Sequence, residues 1–267
     1  MGEHLTKLLS IMATLRDPEK GCEWDKQQTF KSIVPHTIEE AYEVADTIEK
    51  GDMNALKSEL GDLLFQVVFY AQLAKEQGVF DFNDVVAGLN EKLVRRHPHV
   101  FEAKTKLTDE QLEIQWQAIK AQERAQEKAS HADNDRELWS DIPSMLPALS
   151  RAHKIQKRAA GLGFDWPDYR GALDKVVEEV QEVSEALAEN PGSAHSAEEL
   201  GDLLFATVNV ARHAKHDPEQ ILRLASDKFV RRFAKVDETL RQQGLSLENA
   251  TLEQMDSAWE QVKKQKG

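Results

Sequence analysis

Glu179 and Glu182 stand one helical turn apart, and Glu199 and Asp202 repeat that spacing on the next periodic segment. Hard divalent cations, Mg2+ above all, prefer such carboxylate oxygens, and a cation held there polarises phosphate and acidifies water. The second segment carries the sharper clue. Leu200, Leu203, Leu204, Phe205, Val208 and Val210 cover most of its circumference, broken by a narrow stripe of Glu199, Asp202, Ala206 and Asn209 that His213 continues. A helix apolar on its other faces is expected to be buried. Ionised carboxylates in such a place are costly unless paired or neutralised, so the pattern predicts a metal site.

The same acids occur twice. Glu-Leu-Gly-Asp-Leu-Leu-Phe appears at 59–65 and at 199–205, each time after a Glu-Glu-x-x-Glu cluster: Glu39, Glu40, Glu43 and Glu178, Glu179, Glu182. The offset is 139 for Glu40/Glu179 and Glu43/Glu182, 140 for Glu59/Glu199 and Asp62/Asp202, and 136 for Lys92/Lys228 and Arg96/Arg232. So small a drift is that of a tandem duplication with loop insertions and deletions. A solitary Glu-x-x-Glu is ordinarily a solvated helix face, as expected of Glu110 and Glu113, and a solitary Glu-x-x-Asp at a helix start ordinarily offsets the dipole. The two together, on an apolar helix and present twice, point to ligands. Ferritin-like di-iron bundles need Glu-x-x-His pairs, and no Glu here has a His three residues on.

Helical periodicity dominates the segments that must position these acids, and strand-like alternation is scarce. Leu5, Leu8, Leu9, Met12 and Leu15 form a stripe ending at Asp17-Pro18, and a Gly-Cys-Glu-Trp-Asp loop follows at 21–25. Helices are expected near 38–50, 53–77 and 84–96, and in the second half near 171–189, 196–215 and 218–241, after a helix through Leu146, Leu149, His153 and Ile155. Each half closes on a Trp-x-x-aliphatic-Lys tail: Trp116, Ile119, Lys120 and Trp259, Val262, Lys263. The expected organisation is a domain at 1–123, a polar linker at 124–142 and a domain at 143–267.

Composition narrows the function. Lys and Arg number 34 against 47 Asp and Glu, a formal charge of −13, which repels a nucleic-acid backbone. Cys22 is the only cysteine, so a disulfide framework or Cys-based zinc site is excluded. The sequence has no apolar window long enough to span a membrane and no signal-like N-terminal run, and a cytoplasmic enzyme is expected. An anionic substrate beside four acids needs local cations. Lys228 and Arg232 share a helix face with Arg231 alongside, and Lys92, Arg95 and Arg96 match them in the first half.

Taken together, the doubled Glu-x-x-Glu…Glu-x-x-Asp motif, met by Glu40, Glu43, Glu59, Asp62 and by Glu179, Glu182, Glu199, Asp202, resembles the MazG-type nucleoside triphosphate pyrophosphohydrolases of the all-α NTP pyrophosphatase group. The likeness spans essentially the whole chain. It implies an all-α fold of two tandem MazG-like helical bundles and a homodimer. It also implies Mg2+-dependent cleavage between the α- and β-phosphates of ribo- and deoxyribonucleotides, ATP among them, to a monophosphate and pyrophosphate. In that mechanism Glu179, Glu182, Glu199 and Asp202 hold the metal, and Glu178, Glu179 or Glu198 takes a proton from water. Lys228, Arg231 and Arg232 neutralise polyphosphate, Lys175 adds a contact, and Trp259 stacks on the base or simply packs the core. The halves differ around the acids: His36 stands opposite Lys175, Phe69 opposite Asn209, and Leu73 opposite His213. The stripe stays polar in the second half, where Asn209 is expected to bind substrate because sugar or base recognition needs hydrogen bonds, and turns apolar in the first, so catalysis is expected mainly in the second. A narrower, dUTP-type or phosphoribosyl-nucleotide pyrophosphatase, or a nucleotide-binding scaffold with vestigial sites, fits the same acids.

Overall fold

The structure is a computed structural model that describes residues 2–102, 106–130, 139–140 and 142–264. All regular elements among them are helices, and the chain divides into two compact units, Met1–Ala132 and Asp133–Gly267. The first unit contains α1 (Glu3–Leu15), α2 (Glu23–Gln27), α3 (Phe30–Lys50), α4 (Met53–Glu76), α5 (Phe82–Arg96), α6 (Pro98–Phe101) and α7 (Asp109–Ser130). The second contains α8 (Ala148–Gly161), α9 (Tyr169–Glu189), α10 (Ala194–His213), α11 (Pro218–Gln242) and α12 (Leu252–Lys264).

An antiparallel helix pair dominates each unit, α3 with α4 and α9 with α10. Short, well-specified turns make these pairs. Gly51 closes α3 in the left-handed region at φ 69°, and Asp52 then caps α4 by accepting from Asn54 N and Ala55 N at 3.0 Å. In the second unit Asp168 caps α9 and Ser193 caps α10. These hairpins bring each Glu-x-x-Glu opposite its Glu-x-x-Asp.

Three expectations change. Helix α3 starts at Phe30, well ahead of Ile38, because Thr29 and Ser32 form a reciprocal capping box. Pro35 lies about a turn and a half in, where its missing N–H forfeits one helical bond without ending the helix. The expected linker at 124–142 begins inside α7, since Gln-, Glu-, Lys- and Ala-rich sequence without Gly or Pro sustains the helix to Ser130. Residues 131–138 and 141 lie outside the described residues, as does the side chain of Glu113. Finally, α10 is not buried all round. Leu200, Leu204 and Phe205 are exposed, with Leu204 at 60%.

The cores explain that outcome. In the first unit Met12, Ile33, Val68, Phe69, Ala71, Leu73 and Phe82 form one cluster drawn from α1, α3, α4 and α5. In the second, α9 and α10 meet largely through small residues, with Ala172, Ala186, Ala206 and Ala211 buried. Small side chains let two helices approach closely, and the larger Val180, Leu200 and Leu204 are left outside. A separate cluster of Val236, Leu240, Ala258 and Val262 joins α11 to α12.

Candidate functional site

Val176, Val180, Val183 and Leu187 suggest a packing stripe on α9 with Glu179 at its edge, yet Glu179 is buried while Val180 is exposed. Glu179 is buried between Ala172 and Val183 on the inward face of α9. Glu179, Glu199 and Asp202 bring carboxylate oxygens within 4.8 Å of one another, and Glu40, Glu43 and Glu59 do the same between α3 and α4. Asp62 and Glu182 complete the two sets electrostatically. Burial, then Asp62, Glu43, Glu59 and Glu39, push the Glu40 carboxyl above its usual range. Desolvation and then Glu179 do the same to Glu182, against the opposing pull of Lys175. Carboxylates crowded in this way are relieved by a cation.

The second cluster passes a more specific test of fit. Glu179 Oε2 is buried and has no hydrogen-bond partner among the described residues. A buried carboxylate oxygen left unpaired is costly, and a divalent cation among three converging acids satisfies it. The other oxygen, Oε1, is held by Lys175 Nζ at 2.6 Å, and the same ammonium lies 3.0 Å from Glu178 Oε1. These two contacts, Glu179 first, hold the Lys175 ammonium in its charged form to higher pH than usual. Glu198 is exposed at the start of α10.

Sequence reasoning missed two further polar groups in the second unit. His195 Nδ1 sits 3.3 Å from Glu199 Oε1, an i,i+4 spacing that was readable in the sequence. Asp165, in the loop before α9, accepts from Arg212 Nη1 at 3.0 Å and lies 3.1 Å from His213 Nε2. No local pattern announces that long-range clasp. Arg212 Nε also donates to Asn209 Oδ1 at 2.8 Å, and Asn209 is buried. The polar stripe on α10 therefore divides: Glu199 and Asp202 join the acid cluster, while Asn209 and His213 join the Asp165–Arg212 network.

The basic residues divide as well. Among the described residues, no ion pair or hydrogen bond engages the side chains of Lys228, Arg231 or Arg232 on α11. The counterparts of the two arginines on α5 are committed: Arg95 and Arg96 both pair with Glu123 at 2.6 Å, and Arg96 lies over the Trp116 ring at 5.2 Å, whereas Lys92, like its counterpart Lys228, engages no such partner among the described residues. Trp259 packs against Phe229, with ring centroids 5.2 Å apart, at the edge of the α11–α12 core.

Known proteins give this geometry a family. The MazG nucleotide pyrophosphohydrolase domain matches residues 28–101 and again 169–236, and each segment contains one acid cluster. The chain is 51% identical over 262 residues to the nucleoside triphosphate pyrophosphohydrolase of Escherichia coli strain K12, covering 98% of this chain and 97% of that one. It is 45% identical over 257 residues to the nucleoside triphosphate pyrophosphohydrolase/pyrophosphatase MazG of Thermotoga maritima, covering 96% and 94%. Against YabN of Bacillus subtilis it is 42% identical over 254 residues, which are 95% of this chain and 50% of YabN. With two matched domains, two acid clusters and no strand among its described residues, the chain belongs to the MazG nucleotide pyrophosphohydrolase family in its tandem, all-α form.

Proposed function

We propose that this chain hydrolyses nucleoside triphosphates between the α- and β-phosphates, with Mg2+ and mainly at the second acid cluster, releasing a nucleoside monophosphate and pyrophosphate. The names of the Escherichia coli and Thermotoga maritima relatives support the reaction class. One observation favours the second cluster: among the described residues Arg231 and Arg232 are unengaged, whereas their counterparts Arg95 and Arg96 are spent on Glu123 and Trp116. A polyphosphate needs cations that are available to it.

Glu179, Glu182, Glu199 and Asp202 would hold the metal, which when bound offsets phosphate charge and acidifies water. Lys228 and Arg232 grip the polyphosphate and stabilise the charge that develops on the leaving pyrophosphate. Glu178, whose carboxylate lies 3.0 Å from the Lys175 ammonium, and Glu198 are the exposed carboxylates we assign to accept a proton from water. Asn209 and Trp259 are turned into the protein, so recognition rests on charge more than on base edges, which supports broad use of ribo- and deoxyribonucleotides. The exposed Leu200, Leu204 and Phe205 support pairing into a homodimer, and sedimentation as a monomer at micromolar concentration would overturn that part. The free Cys22 thiol suits a reducing, cytoplasmic setting, and the −13 charge a partner other than nucleic acid. The decisive assay is pyrophosphate release from mixed NTPs and dNTPs. Release that requires Mg2+ is expected, and none with Mg2+ present would sink the enzyme reading.

A further inference from the structure

Lys175 does more than add positive charge beside the second cluster. Its ammonium engages one named oxygen of a metal-ligand candidate, Glu179 Oε1 at 2.6 Å, and reaches Glu178 at 3.0 Å. The Glu179 side chain is only 5% exposed, so it has little room to exchange its two oxygens. What remains for a cation is Oε2, buried and without a hydrogen-bond partner among the described residues.

We propose that Lys175 is a positioning residue that makes the second site selective for a small divalent cation, by withholding Glu179 Oε1 and so fixing this carboxylate as a one-oxygen ligand. The inference rests on the second cluster being a cation site. Its chemistry follows from ion size. Mg2+ takes six ligands in near-ideal octahedral geometry at about 2.0–2.1 Å, which suits carboxylates binding through one oxygen. Ca2+ takes about 6–8 oxygens at longer distances and readily accepts both oxygens of one carboxylate. A lysine that occupies Oε1 takes that second option away. It also tethers Glu178, so a flexible neighbouring carboxylate does not fill a larger ion's shell.

The first cluster is the natural contrast. His36 occupies the position matching Lys175, but it reaches only Glu39, at 3.7 Å. No ion pair or hydrogen bond holds Glu40 among the described residues, and Glu40 is less buried than Glu179. Nothing there restricts the carboxylate to one oxygen. His195 approaches Glu199 in the second cluster at 3.3 Å, but its side chain is 59% exposed and it can swing away.

The test uses the full-length chain carrying Glu40→Gln and Glu43→Gln, so that only the second cluster titrates. MgCl2 and CaCl2 are titrated calorimetrically without nucleotide into this parent, into a Lys175→Met derivative and into a Lys175→Arg derivative. Lys175→Met is expected to lower the ratio of the Ca2+ Kd to the Mg2+ Kd by about tenfold, because only Ca2+ gains from the freed oxygen. Lys175→Arg, which keeps a cation on Oε1, is expected to hold the ratio within about twofold of the parent. A ratio that does not change in Lys175→Met, or equal strengthening of both ions as simple removal of a charge would give, overturns the inference and leaves the metal reading standing. No binding of either ion to the parent overturns the metal reading and the inference with it.

Discussion

The two acid clusters draw on the same four sequence positions but bring together different triads, Glu40, Glu43 and Glu59 in one and Glu179, Glu199 and Asp202 in the other, and they differ in what lies around them. In the first, three carboxylates converge with no cation paired to them among the described residues, and burial and then the neighbouring acids push the Glu40 carboxyl upward. In the second, Lys175 and His195 each touch one of the acids. The basic helices show the reverse. On α5, Arg95 and Arg96 are folded onto Glu123 and Trp116, and this clasp fastens α7. On α11, Lys228, Arg231 and Arg232 engage no ion pair or hydrogen bond among the described residues, and an apolar core of Val236, Leu240, Ala258 and Val262 joins this helix to α12. Duplication thus preserved the acids and redistributed the cations. The first copy engages its arginines in a structural clasp, and the second joins α11 to α12 through an apolar core.

The largest effect that tests this contrast comes from matched ligand variants. Glu199→Gln is expected to lower the rate of pyrophosphate release by about a hundredfold or more, while Glu59→Gln leaves it within about twofold of the wild type. Steady-state turnover of the two full-length variants measures it. If Glu59→Gln is the inactive one, the assignment of the two copies is reversed. A smaller split is expected from the arginines. Arg232→Ala removes a phosphate contact and should reduce kcat/KM by about 10–100-fold. Arg96→Ala should leave kcat/KM unchanged and instead lower the Tm of the first unit by a few degrees, since it opens the clasp on Glu123. Equal kinetic losses from both would mean that the first copy also binds polyphosphate.

Much of this was legible in the sequence because it is local and repeated. The i,i+3 acids, the helical periods, the Gly51 and Asp217-Pro218 punctuation and the basic run on α11 are all short-range patterns, and a fixed offset doubled most of them. What was hidden depends on tertiary distance or on competition between local signals. Pro35 looks like a helix boundary until the Thr29–Ser32 box is seen to start the helix earlier. Glu179 reads as an edge residue because Val180 and Leu187 look like core, yet the small alanines decide which face of α9 is inward. The apolar surface of α10 reads as buried because a sequence does not say whether a second molecule covers it. Asp165 with Arg212, and Arg95 and Arg96 with Glu123, join residues far apart in the chain, and only the fold brings them together.

The smallest expected effect isolates that last clasp by pH. Hydrogen bonding from Arg96, then from Arg95, lowers the Glu123 carboxyl to about 2 against the cost of its burial. In the unfolded chain it returns to about 4.3. A carboxyl whose folded value lies below its unfolded value stabilises the fold fully above the unfolded value, and loses that contribution as pH falls through the folded one. Glu123→Gln should therefore cost the first unit about 1 kcal/mol or less at neutral pH, as a partly exposed pair would. The Tm gap between wild type and variant should stay constant down to about pH 5 and close steadily between there and about pH 2. The second unit offers the internal reference. Counting seven residues on from Trp116 reaches Glu123, and the same count from Trp259 reaches Lys266, which lies outside the described residues. No acid stands at that position to form such a clasp, so Glu123→Gln should leave the second unit's unfolding transition untouched at every pH. A gap that persists undiminished at pH 2 would show that Glu123 contributes by packing and not by its charge. Arg95 and Arg96 would then be as available to a nucleotide as Lys228 and Arg232, and the contrast between the two copies would rest on Lys175 alone.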